Sequence, residues 1–164
     1  MKKIKIGIKI GPDINRQYIE LISPHVDFLE VYALPDSEYE ILEGFSKPIV
    51  IHVCHFDSGV NFANPSKRTE NIIALRHSIE LADKFHSTKI IFHPELKENE
   101  DCSKEVLVQF IKANHDPRLL IENMPFSSDG FEHFCRSFDE IKSLTRDLEI
   151  GFCLYFAHAV ECLD

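Results

Sequence analysis

The sequence predicts an α/β fold with parallel strands, and two observations carry this prediction. Strand-like and helix-like segments alternate along the 164 residues in the order βαβαβαβαβαβ. The run at residues 119–121 is continuously aliphatic, which is typical of a parallel strand buried on both faces. Strict alternation of this kind favours parallel strands that are joined by right-handed helical crossovers.

The first half of the chain predicts three strands. They are expected at residues 4–10, 26–33 and 49–54. The first is marked by isoleucine alternating with lysine and glycine, and the dipeptide Gly11-Pro12 ends it. Asp13 is expected to cap the helix that follows, because its side chain can accept hydrogen bonds from the first helical amides. A short helix is expected within residues 35–45, with Gly44 as its stop.

The second half predicts three further strands. They are expected at residues 89–92, 119–122 and 150–155. Asn64 followed by Pro65 indicates the start of one helix, and Ser103 is expected to cap the next. A series of apolar residues at helical spacing predicts a last helix that starts near Phe131. The series consists of Phe131, Phe134, Phe138, Ile141 and Leu144.

Two architectures fit this order of elements. An open doubly wound sheet requires no further strands. A closed (β/α) barrel requires eight strands and about 250 residues, so six units would form three quarters of it. The length is sufficient for one domain with a hydrophobic core and too short for two domains of ordinary size.

Composition narrows the class of protein. The net charge of −9 argues against a broad surface for nucleic-acid phosphates, which requires clustered Lys and Arg. The five cysteines form no CxxC pair, which is typical of reduced thiols in a cytoplasmic protein. No secretory signal follows Met1, and no apolar run approaches the roughly 20 residues of a membrane span.

Residues that can bind metals stand at the end of four consecutive predicted strands. In chain order they are His52 and His55, His93, Glu122, and Tyr155 with His158. Parallel strands bring their carboxyl ends to one rim, where imidazoles and a carboxylate suit Zn²⁺ or Mn²⁺. One histidine alone is more often structural, but four successive strand ends of this kind form a more specific pattern. The other histidines are expected on the surface: His25, His77, His86, His115 and His133.

Four motifs carry a resemblance to a known superfamily. His55 precedes Asn61-Phe62-Ala63 by six residues, and Phe92-His93-Pro94 ends the fourth strand with Glu95 where the related motif has Gly. Glu122-Asn123 ends the fifth strand, and the sixth continues as Cys-Leu-Tyr-Phe-Ala-His-Ala at residues 153–159. These motifs resemble those of the xylose isomerase-like barrels, which include sugar isomerases, sugar epimerases and the endonuclease IV-type enzymes of AP endonuclease family 2.

The resemblance implies a partial TIM (β/α) barrel of about six βα units out of eight. Residues 1–164 would form a single domain that lacks the last two strands. The implied metal ligands are His55, His93, Glu122 and His158, with Glu122 also catalytic. His52 competes with His55, whose offset to Asn61 matches the family; Tyr155, Asn61 and Asn123 are further candidates. The implied cofactor is Zn²⁺ or Mn²⁺, with Mg²⁺ as a third choice.

Two departures from the family pattern affect the expected chemistry. Tyr155 stands where the family has Asp, and a neutral phenol with a pKa near 10 is a poor metal ligand. No seventh or eighth strand is expected within the 164 residues, and in the family those strands supply further ligands and a second Glu. In the isomerases and epimerases that second Glu forms an acid–base pair with the fifth-strand Glu, so Glu122 would act without its usual partner.

Three functions remain open. The leading expectation is a sugar isomerase or epimerase-like protein, incomplete or inactive, that acts on a small sugar or sugar phosphate through a metal. The first alternative is metal-dependent phosphodiester cleavage at abasic DNA, against which the acidic charge counts. The second alternative is a non-catalytic remnant that binds a metal, a ligand or a partner chain. Because two strand edges would be open, a homo-oligomer that covers them is also expected.

Overall fold

The computed structural model describes residues 4–128 and 130–161. The strands are β1 (Gly7–Ile10), β2 (Phe28–Ala33), β3 (Ile49–Val53), β4 (Ile90–Phe92), β5 (Leu119–Glu122), β6 (Ser127–Ser128), β7 (Phe131–Glu132) and β8 (Gly151–Cys153). The helices are α1 (Arg16–Ile22), α2 (Arg68–Lys84), α3 (Lys104–Ala113), α4 (Phe138–Leu148) and α5 (Phe156–Glu161). None of the helices in the described ranges is long and apolar enough to span a bilayer.

Six of the strands form one parallel sheet in the order β1-β2-β3-β4-β5-β8. This order follows the chain and does not reverse, as it would in a doubly wound sheet. The fold is therefore a partial TIM barrel, as the sequence predicted. Within the described residues β1 and β8 do not pair with each other, so the sheet is not closed.

The aliphatic strands are buried because helices cover the outer face of the sheet and side chains fill its inner face. Ile51, Ile90 and Ile121 have no exposed surface, and Leu107 and Ile111 of α3 pack in the same core cluster. Burial on both faces of the sheet thus explains the continuous aliphatic run at 119–121, as the sequence predicted. Since neighbouring strands are parallel and in register, their carboxyl ends lie side by side at one rim of the sheet.

The helix starts at Asn64 and Ser103 are confirmed, whereas the cap of α1 is not Asp13. The Asn64 and Ser103 side chains accept hydrogen bonds from the amides of the turns that follow them. In α1 the Asn15 side chain caps the helix by accepting from the Tyr18 amide at 2.9 Å. Asp13 lies in the preceding turn, two residues too early to reach those amides.

Several predicted boundaries are wrong; the sixth strand, for example, ends at Cys153 and does not reach Tyr155. The first strand begins at Gly7, and Ile4 and Ile6 are exposed. Between residues 35 and 45 the only helical turn is a 3₁₀ turn at Glu40–Leu42. The last large helix, α4, begins at Phe138 because Ser137 and Glu140 form a capping box that fixes its first turn.

A small hairpin occupies the segment where the α4 helix was expected to start. β6 and β7 pair antiparallel, so Phe131 lies in β7 rather than on a helix. The loop after β4 adds to this hairpin, since Leu96 bridges His133 and the Phe134 amide donates to the Glu95 carbonyl at 3.0 Å. The hairpin thereby holds the loop that follows His93 against the end of the sheet.

Candidate metal site at the carboxyl ends of the strands

Three side chains from adjacent strands converge at the rim of the sheet. His52 lies in β3, His93 directly follows β4, and Glu122 ends β5. Glu122 Oε2 is 3.8 Å from His52 Nε2, and Glu122 Oε1 is 3.6 Å from His93 Nε2. The ligand atoms of all three residues lie within 4.8 Å of one another. Parallel pairing of β3, β4 and β5 is the reason that residues so distant in sequence meet here.

His52 presents a nitrogen that no described residue satisfies. Its side chain is 1% exposed, and its Nδ1 lies 2.9 Å from the Val53 carbonyl oxygen. Because a carbonyl only accepts, Nδ1 carries the hydrogen and Nε2 carries the lone pair. Nε2 is buried without a hydrogen-bond partner and faces Glu122. A buried acceptor in this state is costly, and a bound cation would satisfy it.

The separations between the donor atoms fit a small divalent ion. Ligand atoms about 2.0–2.2 Å from a tetrahedral zinc ion lie roughly 3.3–3.6 Å from one another. The 3.6 and 3.8 Å separations, which involve different oxygens of Glu122, are close to this range and too long for good hydrogen bonds. The three ligand atoms span up to 4.8 Å, so the side chains would have to move closer together around an ion. Two imidazoles and one carboxylate are also the donor set of many catalytic zinc sites. These residues therefore fit a metal ion with room for further ligands.

Electrostatics leave the groups in the forms that bind cations. Burial, opposed by the neighbouring Glu122, lowers the pKa of His93 to about 4. Burial opposes ionisation of Glu122, but His52 and His93 outweigh it and hold the pKa of this carboxyl well below its usual range. At neutral pH His93 is consequently neutral and Glu122 is ionised.

His55 lies beside the cluster rather than within the group of three. Its ring stacks on His93 with centroids 4.8 Å apart and an interplanar angle of 12°. Its Nδ1 is 3.8 Å from Asp57 Oδ2. Burial, with His93 and His52 nearby, lowers the pKa of His55 to about 4, so it is neutral at neutral pH. Its role as a ligand stays a prediction.

His158 approaches the cluster from α5. Its Nδ1 is 2.8 Å from the Asn123 carbonyl oxygen and 3.8 Å from Glu122 Oε1. The Asn123 carbonyl fixes the hydrogen on Nδ1, which leaves Nε2 as the nitrogen with a lone pair. This arrangement resembles the orientation of metal-binding histidines by a backbone carbonyl, although its role as a ligand is likewise untested.

The three remaining candidates have different positions. The Tyr155 ring is half exposed and lies edge-on to His158, with centroids 4.3 Å apart. The Asn123 side chain is used in two hydrogen bonds to the Tyr155 backbone. Asn61 is fully buried and binds the Leu96 carbonyl and the Ala63 amide. Asn123 and Asn61 are therefore engaged in holding loops, and neither side chain belongs to the group of three.

A cavity of about 170 Å³ opens beside the cluster. Among the residues that line it are His55, His93, Glu95, His133 and His158. His133 was expected on the surface, but it is 4% exposed because the hairpin folds against the loop after β4. The sequence marked Glu95 only as a departure from the Gly of the related motif. A charged residue two positions after His93 was the one sign in the sequence that Glu95 could belong to the site. Burial raises the pKa of the Glu95 carboxyl well above its ordinary value.

Comparison of sequences finds no relative of this chain, whereas comparison of structures finds proteins with a similar fold. No family model and no curated protein matches the sequence. The structure resembles endonuclease IV from Thermus thermophilus with a TM-score of 0.71 at 19% identity. It also resembles a D-tagatose 3-epimerase-like protein with a TM-score of 0.67 at 18% identity. A third similar structure is the TTHB071 protein from Thermus thermophilus, soaked with ZnCl₂, with a TM-score of 0.66 at 15% identity.

The similarity to these three structures supports the fold of a partial TIM barrel for this chain. Each comparison covers 95% of this chain. The chain spans 64% of the endonuclease IV structure, 66% of the epimerase-like protein and 68% of the TTHB071 protein. At identities of this level the similarity establishes the fold alone, so function must be argued from the site itself.

Proposed function

We propose that this chain binds a divalent cation through His52, His93 and Glu122 and uses it to act on a small sugar or sugar phosphate. The observation that carries the proposal is the buried lone pair of His52 Nε2, which faces an ionised carboxylate 3.8 Å away. The preferred ions are Zn²⁺ and Mn²⁺, with Mg²⁺ third, because imidazole nitrogen is a better ligand for the first two. The reaction class is isomerisation or epimerisation next to a carbonyl.

The residues divide the chemistry between binding and proton transfer. A bound cation would polarise a substrate carbonyl and hold an adjacent hydroxyl oxygen. Glu122 has two oxygens, so one can face the cation while the other takes a proton from the carbon next to the carbonyl. His93 and His52 lie on either side of Glu122, with their Nε2 atoms 3.6 and 3.8 Å from its two carboxylate oxygens. His158, fixed by the Asn123 carbonyl, is placed to bind a further substrate oxygen.

The size and charge of the site support a small substrate. The cavity beside the cluster has a volume of about 170 Å³, and four histidines and two carboxyl groups line it together with four apolar residues. Polar groups of this kind bind hydroxyls through directional hydrogen bonds. The chain carries 27 acidic residues against 18 Lys and Arg, which disfavours a long polyanion as substrate.

We place the protein in the cytoplasm, since Cys54, Cys102, Cys135 and Cys153 are all free thiols.

The second candidate function is metal-dependent cleavage of the phosphodiester backbone at abasic DNA. This candidate is considered because the chain shares its fold with the endonuclease IV structure. That chemistry uses several metals to stabilise the attacking and leaving oxygens. Only His52, His93 and Glu122 form a group of metal-binding side chains within the described ranges, so the chain offers less to this reaction than to the first.

We also propose that a second copy of this chain covers the open edges of the sheet. β1 and β8 each lack a partner strand on one side within the described residues. Exposed apolar side chains accompany both edges: Ile4 and Ile6 before β1, and Phe152, Leu154 and Phe156 at β8 and the start of α5. Exposed edges with apolar residues favour association between chains.

The metal is tested first, on untagged protein that has never met a chelating column. We expect about one Zn²⁺ or Mn²⁺ per chain by elemental analysis and by calorimetric titration. Glu122→Ala and His52→Ala should each weaken binding by at least about tenfold, the loss seen even for outer partners of ligands. His115→Ala, at an exposed histidine outside the site, is the matched control. Separate His52→Ala and His55→Ala variants decide which histidine of the third strand binds.

Catalysis is tested by solvent exchange. A ketohexose panel that includes D-tagatose, incubated in D₂O with the metal-loaded protein, should acquire deuterium at the carbon next to the carbonyl, as detected by NMR. Glu122→Gln should abolish the exchange, because the amide cannot take the proton. Nicking of an abasic duplex without any exchange would replace the proposal with the second candidate. Metal binding without either activity would show that the chain binds metal but catalyses neither reaction.

A further inference from the structure

Glu95 is a buried carboxyl group that the surrounding protein does not fully bind. The residue is 1% exposed, and its Oε1 has no hydrogen-bond partner within the described residues. Leaving a polar atom of this kind buried without a partner destabilises the folded state of typical proteins. Native structures contain few such atoms, and each of them calls for an explanation.

The backbone at Glu95 is also held in an unfavourable conformation. Its φ angle is +67°, in the left-handed region that glycine adopts most easily. Two hydrogen bonds fix the segment against the hairpin: the Glu95 carbonyl accepts from Phe134, and the Lys97 amide donates to the Glu132 carbonyl at 2.8 Å. The chain therefore keeps a side chain at a position where glycine would be relaxed. Strain that the neighbouring structure enforces is concentrated at functional sites.

Glu95 lies in the wall of the cavity that also includes His93 of the proposed metal site. The Phe56 amide is close enough to hydrogen bond to it, and Phe56, Glu95 and His93 all line the 170 Å³ cavity. The same cavity is bounded by His55 and His158. A ligand that reached the Glu122 cluster from this cavity would pass within range of Glu95.

We propose that Glu95 is a substrate-positioning residue whose free carboxyl oxygen binds a hydroxyl group of a small polyhydroxylated ligand held at the His52–His93–Glu122 cluster. A hydroxyl both donates and accepts, so it can satisfy a carboxyl oxygen that no protein group satisfies. A cavity of this size holds a molecule of a few carbon atoms rather than an extended polymer. This inference rests on the proposed function and adds a second carboxyl group to the substrate site.

Three variants separate a ligand-binding role from a structural one. Glu95→Gly removes the carboxyl and suits φ +67°, whereas Glu95→Gln keeps the shape and a hydrogen-bonding head group. Glu132→Gln is the matched control, since Glu132 is a half-exposed carboxylate on the neighbouring hairpin strand that pairs with Lys97. For each variant we would measure thermal stability, Zn²⁺ affinity, and calorimetric affinity for D-tagatose and D-fructose in the presence of Zn²⁺.

The expected result is a change in ligand affinity with little change in Zn²⁺ affinity. Glu95→Gly should bind the sugars at least about tenfold more weakly, the usual cost of a lost hydrogen bond to a polar group, and should melt at a higher temperature. Glu95→Gln should restore part of the affinity, and Glu132→Gln should match the wild type. This pattern differs from that of a purely structural residue, whose removal lowers the melting temperature.

One result would overturn this inference alone, and two others would overturn it together with part or all of the proposed function. Unchanged sugar affinity in Glu95→Gly would show that Glu95 does not contact the ligand, while the metal site would stand. Wild-type protein that binds Zn²⁺ but neither sugar would show the ligand class to be wrong. If the wild type binds no divalent metal, the proposed function and this inference fall together.

Discussion

The Asn123 side chain holds the backbone of Tyr155 through two hydrogen bonds. Its Nδ2 donates to the Tyr155 carbonyl at 3.0 Å, and its Oδ1 accepts from the Tyr155 amide at 2.6 Å. Asn123 follows the last residue of β5, whereas Tyr155 follows β8 and precedes α5. One amide side chain thus joins the ends of two neighbouring strands and sets the start of the helix that carries His158. The backbone carbonyl of Asn123 also accepts a hydrogen bond from His158. Asn123 therefore positions this side of the site through both its side chain and its backbone.

Replacement of Asn123 should loosen this side of the site. Asn123→Ala removes both hydrogen bonds to Tyr155 and should lower the free energy of unfolding by about 1–3 kcal/mol. Asn123→Asp keeps the acceptor for the Tyr155 amide but places a carboxylate against the Tyr155 carbonyl, so it should rescue little. Urea denaturation measures both changes. An alanine variant as stable as the wild type would show that other contacts anchor α5.

The ion pair before β5 should make stability depend on pH. Asp116 accepts three hydrogen bonds from Arg118, and the Arg118 guanidinium holds the pKa of the Asp116 carboxyl below its usual range. The folded state thus favours the ionised form more than the unfolded state does. The resulting stability is present above the unfolded pKa of about 3.8 and is lost as the pH falls through the lower folded value.

The variant Asp116→Asn tests this dependence. At pH 7 it should lose about 1 kcal/mol, a figure that allows for solvent screening of a pair near the surface. The difference from the wild type should shrink as the pH falls below about 3.8, because the wild-type carboxyl then becomes protonated as well. Asp101→Asn, on an exposed loop, serves as the control. A stability difference between the wild type and Asp116→Asn that stays constant from pH 7 to pH 3 would show that ionised Asp116 is not the source of the stabilisation.

Close contact between β1 and β2 makes Gly7 sensitive to substitution. A Cβ atom at Gly7 would clash with the Phe28 ring, which occupies the position opposite it in the sheet. Gly7→Ala must displace that ring and should cost about 1–3 kcal/mol, the range for overpacking. At Gly11 a Cβ atom would meet nothing within 4 Å, so Gly11→Ala is the matched control. Thermal denaturation of the two variants should separate them clearly.

The proposed dimer predicts a measurable mass and a way to break it. Light scattering of the purified chain should give twice the mass of one 19.0 kDa chain. Phe152→Glu places a charge on the open β8 edge and should shift the mass towards the monomer. Phe138→Glu alters a more exposed phenylalanine at the start of α4, outside the two edge strands, and should not. A wild-type chain that stays monomeric at high concentration would remove the dimer.

The class of the fold and the rim that carries the site follow from the order of amino acids alone. Unbroken aliphatic runs such as 119–121 require burial on both faces, and strict alternation with helices leaves few topologies other than a parallel sheet. The residue that ends each strand can be read directly from where an aliphatic run stops. Glu122 and His93 were identified in this way, as residues that would meet at one edge of the sheet.

Which side chains face one another depends instead on how the strands and loops pack. Spacing favoured His55 over His52, but pairing of β3 with β4 and β5 brings His52 Nε2 to Glu122 and stacks His55 on His93. The hairpin at β6 and β7 displaced a predicted helix start, buried His133 and fixed Glu95 at a positive φ. These outcomes depend on contacts between segments 30 or more residues apart, which local periodicity does not encode.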